Sequence, residues 1–274
     1  MEKEILYRQL AIDYCCTKEE AADGTHHFLL YEPKEGRRRY EEREPCFFKL
    51  AVVNGKLLCA GSEEMIAWCR SRYADASAEW FVDAKQLREL DSKLREFGYR
   101  IRQIHPFFIP MGRSDAETIE RMRCLGKLSG HSEEKRMQAT DGIYDIVWYQ
   151  GEEIEQFRGD DRFDKAYTFD ENAPDVIGVG AWKDGAVLGM AGASADSPLL
   201  WQIGINVLPE GRGRGIATLL VSLLKNRIMD EGKLPYYGTA FSHLASQTVA
   251  LRSGFTPAWV ELETEKIGGI RNER

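Results

Sequence analysis

A loop of three glycines and two arginines, GRGRG at residues 211–215, joins two apolar segments of the chain. The segment before the loop, LLWQIGINV (199–207), has the length of a strand, and the segment after it, IATLLVSLL (216–224), is predicted to be a helix. Amides in the first turn of a helix have no intrahelical partner, and glycines let successive amides point at one anion. The strand, loop and helix together therefore predict a binding site for a pyrophosphate group.

Two common nucleotide-binding patterns do not fit this loop. The Walker pattern requires a lysine directly before Ser or Thr, and no lysine precedes Thr218. The dinucleotide pattern G-x-G-x-x-G requires a third glycine at the position of Ile216. The spacing therefore argues against a protein that binds ATP or NAD.

The length and charge of the chain exclude other classes. The 274 residues suffice for one large domain or two ordinary ones, and no segment is apolar over the roughly 18 residues of a membrane span. The first 139 residues carry no net charge, whereas residues 140–274 hold 20 acidic and 13 basic residues, which gives the whole net charge of −7. An acidic chain without a basic stripe predicts no nucleic-acid and no membrane partner. Charges near the N-terminus, where a secretory signal would be apolar, favour a cytoplasmic location.

Six cysteines lie in the first half of the chain: Cys15, Cys16, Cys46, Cys59, Cys69 and Cys124. Their spacing gives no set of C-x-x-C pairs, and a cytoplasmic location disfavours disulfides. Cys15 and Cys16 are open to interpretation as a redox pair or half of a metal site, but small half-buried hydrophobic residues are the favoured interpretation. Because no histidine spacing typical of a metal site is present either, the sequence predicts no metal.

The second half of the chain, residues 140–274, has a regular order of hydrophobic patterns. These patterns predict strands at 144–149, 176–182, 186–194, 199–207, 235–242 and 258–266, a short helix at 151–157, and longer helices after the glycine loop and from His243 to Gly254. From residue 176 the order is β-β-β-α-β-α-β. It predicts an α/β (α+β) fold, in which helices pack on both faces of a mixed sheet.

The first half, residues 1–139, predicts a smaller α+β lobe. Its first thirty residues are helical or irregular, and residues 32–45 form a charged connector. The other predicted elements are a hairpin at 47–61 around Asn54-Gly55, helices at 62–73 and 83–99, a strand at 100–111, and a short helix with a linker at 112–141.

The glycine loop resembles the acetyl-CoA motif of the GNAT superfamily of N-acetyltransferases, [QR]-x-x-G-x-[GA]. The motif stands here as Arg212-Gly213-Arg214-Gly215-Ile216-Ala217. A three-strand meander precedes it, a long helix follows it, and Gly254-Phe255 stands about forty residues later, as in the family. The resemblance covers residues 140–265, so it implies a GNAT domain at 140–274. The first half resembles the helper lobe of two-lobed acetyltransferases, as a degenerate copy of the fold, with an independent partner-binding domain as the alternative.

The resemblance implies a role for each residue around the loop. Arg212 would brace the loop, and Ser246 would touch the pantetheine arm. The strand before the loop would part from its neighbour at a bulge near Ile205, Asn206 and Val207, so that its backbone pairs with the arm and polarises the thioester carbonyl. The pyrophosphate would be held by the amides of Gly213, Arg214, Gly215, Ile216, Ala217 and Thr218.

The chain departs from the family at the acid that protonates the leaving thiolate. The usual tyrosine position is Ala250, and the usual Asn at the start of that helix is His243. Among the residues that could replace the tyrosine, His243 carries a side chain that often serves in proton transfer, although a role as a helix cap is the more ordinary interpretation. The further candidates are Ser242, Ser246, Tyr236 and Tyr237.

The acceptor side is less constrained by the sequence. A glutamate that some relatives use as a base is missing from the strand at 199–207, so proton removal would go through water or a substrate-side residue. Asp196 is either a residue that reaches an amine or, as favoured, an exposed turn residue. Trp201 and Gln202 should face opposite sides of the sheet. The segment 152–175 holds nine acidic and three basic residues, which either attract a cationic acceptor or, as favoured, form a solvated loop.

The sequence therefore predicts an acetyl-CoA-dependent N-acetyltransferase whose catalytic candidates are His243, Tyr237 and Ser242. The acetyl group would pass by direct attack to a primary amine on a small molecule or a peptide. A protein of the same fold that binds acyl-CoA without catalysis is the alternative. We expect a monomer or a homodimer.

Overall fold

The structure is a computed structural model that describes residues 2–39, 46–125 and 144–268. Part of the predicted charged connector, the predicted linker before residue 144 and the side chain of Cys124 lie outside the described residues. In the first half the helices are α1 (Glu2–Asp13), α2 (Lys18–Ala22), α3 (Glu63–Tyr73), α4 (Ala84–Glu96) and α5 (Ala116–Leu125). The strands are β1 (His27–Leu30), β2 (Phe48–Val53), β3 (Lys56–Gly61) and β4 (Tyr99–Pro110).

The second half contains the predicted elements in the predicted order. Its strands are β5 (Asp145–Gln150), β6 (Asp175–Lys183), β7 (Ala186–Ser194), β8 (Leu200–Val207), β9 (Leu234–Gly238) and β10 (Phe255–Lys266). Its α-helices are α6 (Ile216–Asp230) and α7 (Leu244–Arg252). Three short 3₁₀ helices lie at Gly151–Phe157, Asp161–Phe163 and Pro209–Gly211.

The described strands form one mixed sheet in the order β1-β3-β2-β10-β4-β9-β8-β7-β6-β5. Only the pairs β1·β3 and β8·β9 are parallel in the described sheet. The last strand, β10, lies between β2 and β4 of the first half, and β4 in turn lies between β10 and β9. The predicted boundary at residues 139 and 140 stays a prediction, and strands from either side of it alternate in the sheet.

Helices cover both faces of this sheet, as predicted. In β2 and β3, Leu50 and Leu57 face α3 and α4, whereas their neighbours Ala51 and Leu58 face α1. This alternation is the period of two that a strand buried on both faces requires. In the second half, α6 packs on β6, β7 and β8, and the segment 151–167 covers their other face through its aromatic residues.

The described cysteines are free thiols. Cys59 and Cys69 are buried, and burial raises the pKa of Cys16 to about 11, which disfavours its thiolate. The Cys15 sulfur lies 3.1 Å from the carbonyl oxygen of Glu32 and 3.2 Å from its amide nitrogen. These environments fit small structural residues better than a redox pair.

Lys225 of α6 gives the fold an unusual pH dependence. The residue is 1% exposed, its Nζ donates to the carbonyl oxygen of Ser253 at 2.8 Å, and burial lowers its pKa to about 8. Between this pKa and the ordinary value of 10.5 the unfolded chain binds more protons than the folded one. In that window the free energy of unfolding therefore rises with pH.

We expect this rise to disappear in Lys225→Met. From about pH 7 to about pH 10, wild type should gain on the order of 2 kcal/mol in unfolding free energy relative to the variant. Urea unfolding gives the unfolding free energy of both proteins at both pH values. Subtracting the value of the variant from that of wild type cancels the titration of all other groups, because these groups are the same in both proteins. Parallel pH profiles would contradict the assignment.

Candidate functional site

The glycine-rich loop leads directly into the N-terminus of α6. Gly213 and Gly215 have left-handed backbone conformations, with φ of +71° and +76°. A Cβ at either position would meet no atom within 4 Å, so the backbone conformation and not lack of space requires glycine there. Gly215 is the N-cap of α6, and its carbonyl oxygen accepts from the amide of Leu219 at 3.0 Å.

The amides that precede Leu219 are available to a ligand. In the described parts of the chain, no hydrogen-bond partner is found for the amides of residues 213–218. Residues 212–215 are exposed, and Ala217 and Thr218 are half-buried. The positive end of the helix dipole adds to this row of donors, so the loop fits a phosphate or diphosphate group.

Arg212 connects the loop to the preceding strand. Its Nε lies 3.4 Å from the carbonyl oxygen of Val207, the last residue of β8. Gly211 has a packing role, because a Cβ there would lie 2.5 Å from the carbonyl oxygen of Leu188. The side chain of Arg214 is exposed at the surface of the loop. The loop is thus held at its base and open at its tip.

The strands β8 and β9 part beside this loop. They pair only from Leu200 to Gln202, and β9 then pairs with β4 through Tyr237 and Gly238. The part of β8 beyond Gln202 stays paired with β7 and has no strand at its other edge. Its backbone groups along that edge are therefore open to an extended ligand.

The predicted bulge near Ile205, Asn206 and Val207 is not found. The pairing of β8 with β7 runs without a register shift from Gln202 to Val207. β9 pairs with β8 along one edge and with β4 along the other, and the pairing with β8 ends at Gln202 without an extra residue in β8. Ile205 and Val207 pack toward α6. The Asn206 side chain accepts from the amides of Lys165 and Ala166 at 2.9 and 2.7 Å.

A stripe of glycines runs across the other face of the sheet. Gly178, Gly192 and Gly204 are direct neighbours on β6, β7 and β8. A Cβ at Gly204 would overlap the carbonyl group of Lys165, and one at Gly192 would lie 2.8 Å from the Tyr167 ring. The segment 165–167 therefore lies flat on the sheet, where it forms one wall beside the opening between β8 and β9.

Two of the predicted residues around α7 meet in the structure. The Tyr237 hydroxyl and the Ser246 hydroxyl are 2.9 Å apart. Tyr237 is 2% exposed, and burial raises its pKa while the hydrogen bond to Ser246 opposes the rise. His243 is the N-cap residue of α7, but its side chain does not cap the helix, and both His243 and Ser242 are exposed.

The residue that stands at the position of the usual tyrosine is part of the hydrophobic core. Ala250 is fully buried and packs with the residues under α6. Trp201 and Gln202 do face opposite sides of the sheet, as predicted. Trp201 packs on the α6 side, and Gln202 contacts Tyr236 on the other side.

The interpretation of Asp196 as an exposed turn residue is wrong. Asp196 is 1% exposed and accepts from the Ser194 hydroxyl at 2.5 Å, from Arg39 Nε at 2.8 Å and from the Tyr236 hydroxyl. These bonds also leave it closed to an amine. Sequence reasoning missed this cluster because Arg39 lies 157 positions away in a charged run without a distinctive pattern.

The acidic segment 152–175 neutralises part of its own charge. Each of its three basic residues forms an ion pair within the segment, at 2.7 Å: Arg158 with Glu155, Arg162 with Asp160, and Lys165 with Asp164. Asp175 accepts from the amides of Thr168 and Phe169 at 3.0 and 2.7 Å. These contacts give the acids local structural roles.

Among the described residues, no helix combines the length and the apolar character needed to cross a membrane. Within the same residues, no group of three or more His, Cys, Asp or Glu side chains is placed to hold a metal ion.

Residues 140–255 match the model of the Acetyltransferase (GNAT) family. This part of the chain is therefore a GNAT acetyltransferase domain, and acyl transfer is the general class of reaction that the family supports.

Similar solved structures are distant. A GCN5-related N-acetyltransferase-like protein from Streptococcus suis is 14% identical, with 82% of this chain and 86% of that chain covered and a TM-score of 0.45. A GNAT-family protein from Novosphingobium aromaticivorans is 16% identical, with 61% and 66% covered and a TM-score of 0.38. An aminoglycoside N-acetyltransferase in complex with CoA is 23% identical, with 47% and 100% covered and a TM-score of 0.33. A comparison with curated proteins finds no match. Likenesses at this distance carry no conclusion about cosubstrate or acceptor.

Proposed function

We propose that the protein transfers an acetyl group from acetyl-CoA to a primary amine. One observation carries the proposal: a row of unpartnered amides at the start of α6 lies beside the open edge of β8. The row suits a diphosphate, and the strand edge suits an extended chain that carries amide groups. Coenzyme A has both parts in this order.

Each part of the cosubstrate has a binding group in the chain. Arg212 braces the loop from the end of β8, and the backbone of Ile205, Asn206 and Val207 pairs with the pantetheine arm. The pyrophosphate is held by the amides of Gly213, Arg214, Gly215, Ile216, Ala217 and Thr218. No metal is required for this binding mode, because the helix start itself supplies the positive potential.

The reaction is a direct attack. The amine nitrogen forms a bond to the thioester carbonyl carbon, the carbon–sulfur bond breaks, and the sulfur leaves as the thiolate of CoA. A backbone N–H on the open edge of β8 donates to the carbonyl oxygen as negative charge develops there. The remaining rate enhancement comes from holding the two reactants together, and water takes the amine proton.

Tyr237 stabilises the leaving thiolate in this mechanism. It follows Tyr236, the last residue of β9 that pairs with β8, and faces the side of α6 and α7. Burial raises its pKa, so the phenol stays protonated at neutral pH and donates a hydrogen bond. His243 and Ser242, exposed at the start of α7, are the other candidates, and Ser246 orients the phenol.

The alternative is a sensor that binds acyl-CoA without transferring the acyl group. It is favoured by Ala250 at the position of the usual tyrosine and by the absence of a glutamate from β8. Both functions share the cosubstrate site and differ in turnover. The cytoplasmic location and the monomeric or homodimeric state remain predictions.

A thermal-shift titration with acetyl-CoA, CoA, ATP and NAD, followed by a thiol-release screen over amines, tests the proposal. We expect stabilisation by the two CoA compounds alone and release of free thiol with one class of amine. Stabilisation without release from any amine would favour the sensor. Equal stabilisation by ATP or NAD, or none by CoA, would overturn the cosubstrate assignment.

The salt dependence of KM tests the acidic segment 152–175. Because three of its acids are paired within the segment, we expect the KM for the acceptor to change less than about twofold from about 20 to about 200 mM NaCl. Initial rates at both salt concentrations give the value. A KM that rises steeply with salt would instead show steering of a cationic acceptor.

A further inference from the structure

Gln202 lies where β8 and β9 part, on the sheet face opposite to α6. It is the last residue of β8 that pairs with β9, its pairing partner is Tyr236, and Gly238 is the next β9 residue on the same face. Its side chain is half-buried.

Hydrogen bonds fix the orientation of the Gln202 carboxamide. Its Oε1 accepts from Arg39 Nη2 at 3.0 Å, and it lies 3.0 Å from the oxygen of Tyr236, whose single hydroxyl proton is donated to Asp196. Because a guanidinium group can only donate, the oxygen and not the nitrogen must face Arg39. The nitrogen therefore points the other way. A Cβ added to Gly238 would lie 3.2 Å from Nε2, so the amino group lies over a residue without a side chain.

The charges of the cluster are arranged so that the positive one faces outward. The carboxylate of Asp196 is fully buried, whereas 44% of the Arg39 side chain is exposed. The guanidinium group stands on the solvent side of the buried Asp196 carboxylate, and Asp170 and Asp175 also lie within electrostatic range of it. Among the described residues, Gln202 Nε2 has no hydrogen-bond partner, while Oε1 of the same carboxamide accepts from this guanidinium group.

A purely structural clamp explains only part of the cluster. The ion pair and the bond from the Arg39 amide to the Asp196 carbonyl oxygen, at 2.6 Å, attach the first half of the chain to the β7–β8 turn. The ion pair and this backbone hydrogen bond do not require a carboxamide at Gln202. They leave the N–H donors of the Gln202 side chain unused. Arg39 is also held at φ +49°, a left-handed conformation that is uncommon for a residue with a side chain and is often found at ligand sites.

We propose that Gln202 and Arg39 recognise a carboxylate on the acceptor, so that the acceptor is an amine with a carboxyl group near its amino group. Gln202 Nε2 and the exposed side of the guanidinium group are N–H donors on two side chains that are hydrogen-bonded to each other, and a carboxylate has two oxygens to accept from them. This inference rests on the proposed acetyl transfer and specifies its acceptor class. It differs from the cationic acceptor that the acidic segment suggests.

The test compares amino acids with their carboxamides as acceptors, for example β-alanine with β-alaninamide, in the thiol-release assay. Gln202→Glu keeps an acceptor oxygen for Arg39 but replaces the free donor by a negative charge. We expect the ratio of kcat/KM for carboxylate over carboxamide to fall about tenfold or more in this variant. Dividing by the wild-type ratio cancels the difference in amine basicity.

Gln156→Glu is the matched control. Gln156 is an exposed residue of the acidic segment whose Nε2 donates to the Glu153 carbonyl oxygen at 2.6 Å, so the substitution adds the same charge away from Arg39. We expect it to change the ratio less than about twofold. If Gln202→Glu does not fold, Gln202→Met removes the donor without adding charge and should lower the same ratio.

The outcomes separate the two proposals. Turnover by wild type without a preference for carboxylates, or an unchanged ratio in a folded Gln202 variant that still binds CoA, overturns the acceptor assignment and leaves acetyl transfer intact. A preference of wild type for polycationic amines would also overturn the acceptor assignment and leave acetyl transfer intact. The absence of thiol release with every amine, carboxylate-bearing or not, overturns the proposed function and this inference with it.

Discussion

Gly215→Glu is expected to abolish the affinity for CoA. The new carboxylate would stand among the amides of residues 213–218, where the diphosphate is proposed to bind. Two like charges about 4 Å apart repel by about 4 kcal/mol at an effective dielectric constant of about 20. We therefore expect the Kd for CoA to rise on the order of 100-fold or more, as measured by isothermal titration.

Gly232→Glu is the control for this variant. Gly232 follows the other end of α6, has φ of +70°, and has no atom within 4 Å of a built Cβ, as at Gly215. Both substitutions introduce the same charge and the same left-handed strain, which costs about 1–2 kcal/mol in stability. Only Gly215→Glu should weaken CoA binding. Equal affinities in two folded variants would refute the assignment of the loop.

Gly204→Ala is expected to cause the largest loss of stability. The added methyl group would overlap the carbonyl group of Lys165, 2.8 Å from its carbon atom, and both partners are held by the backbone. Either the sheet or the segment 165–167 must move, and movement of the segment breaks the two bonds that Asn206 accepts. We expect a loss of about 3 kcal/mol in the free energy of unfolding in urea.

Gly24→Ala provides the comparison. No atom lies within 4 Å of a Cβ built on Gly24, and its φ is not in the left-handed region. The same chemical change should therefore alter the free energy of unfolding by less than about 0.5 kcal/mol. A Gly204→Ala protein as stable as Gly24→Ala would mean that the segment 165–167 does not pack on the glycine stripe.

The local elements of this protein could be predicted from its sequence because their signals are local. The Asn-Gly pair between β2 and β3, the Ser62 cap of α3 and the glycines before α6 each act within a few residues. The meander of β6, β7 and β8 follows from three apolar runs separated by short turns. The family motif then placed the candidate cosubstrate site, since one loop contributes most of its backbone groups.

The parts that could not be predicted depend on contacts between distant residues. The insertion of β4 between β9 and β10 leaves no trace in the pattern of any one strand. Asp196 appeared exposed because an acidic residue in a turn usually is, whereas it is buried against the distant Arg39 and Tyr236, which supply the opposite charge and a hydrogen bond. The parting of β8 and β9 was expected from the family, but the point at which it begins, after Gln202, required the strand pairing.

The position of β10 has a consequence for the synthesis of the protein. Residues 255–266 supply the strand that joins β2 to β4, so those two earlier strands keep open edges until almost the whole described chain has left the ribosome. Sheet pairing over more than 150 residues is slow, because a long loop must close before the contacts form. We expect this protein to fold after translation rather than lobe by lobe during it, and to need protection of its open strand edges in the meantime.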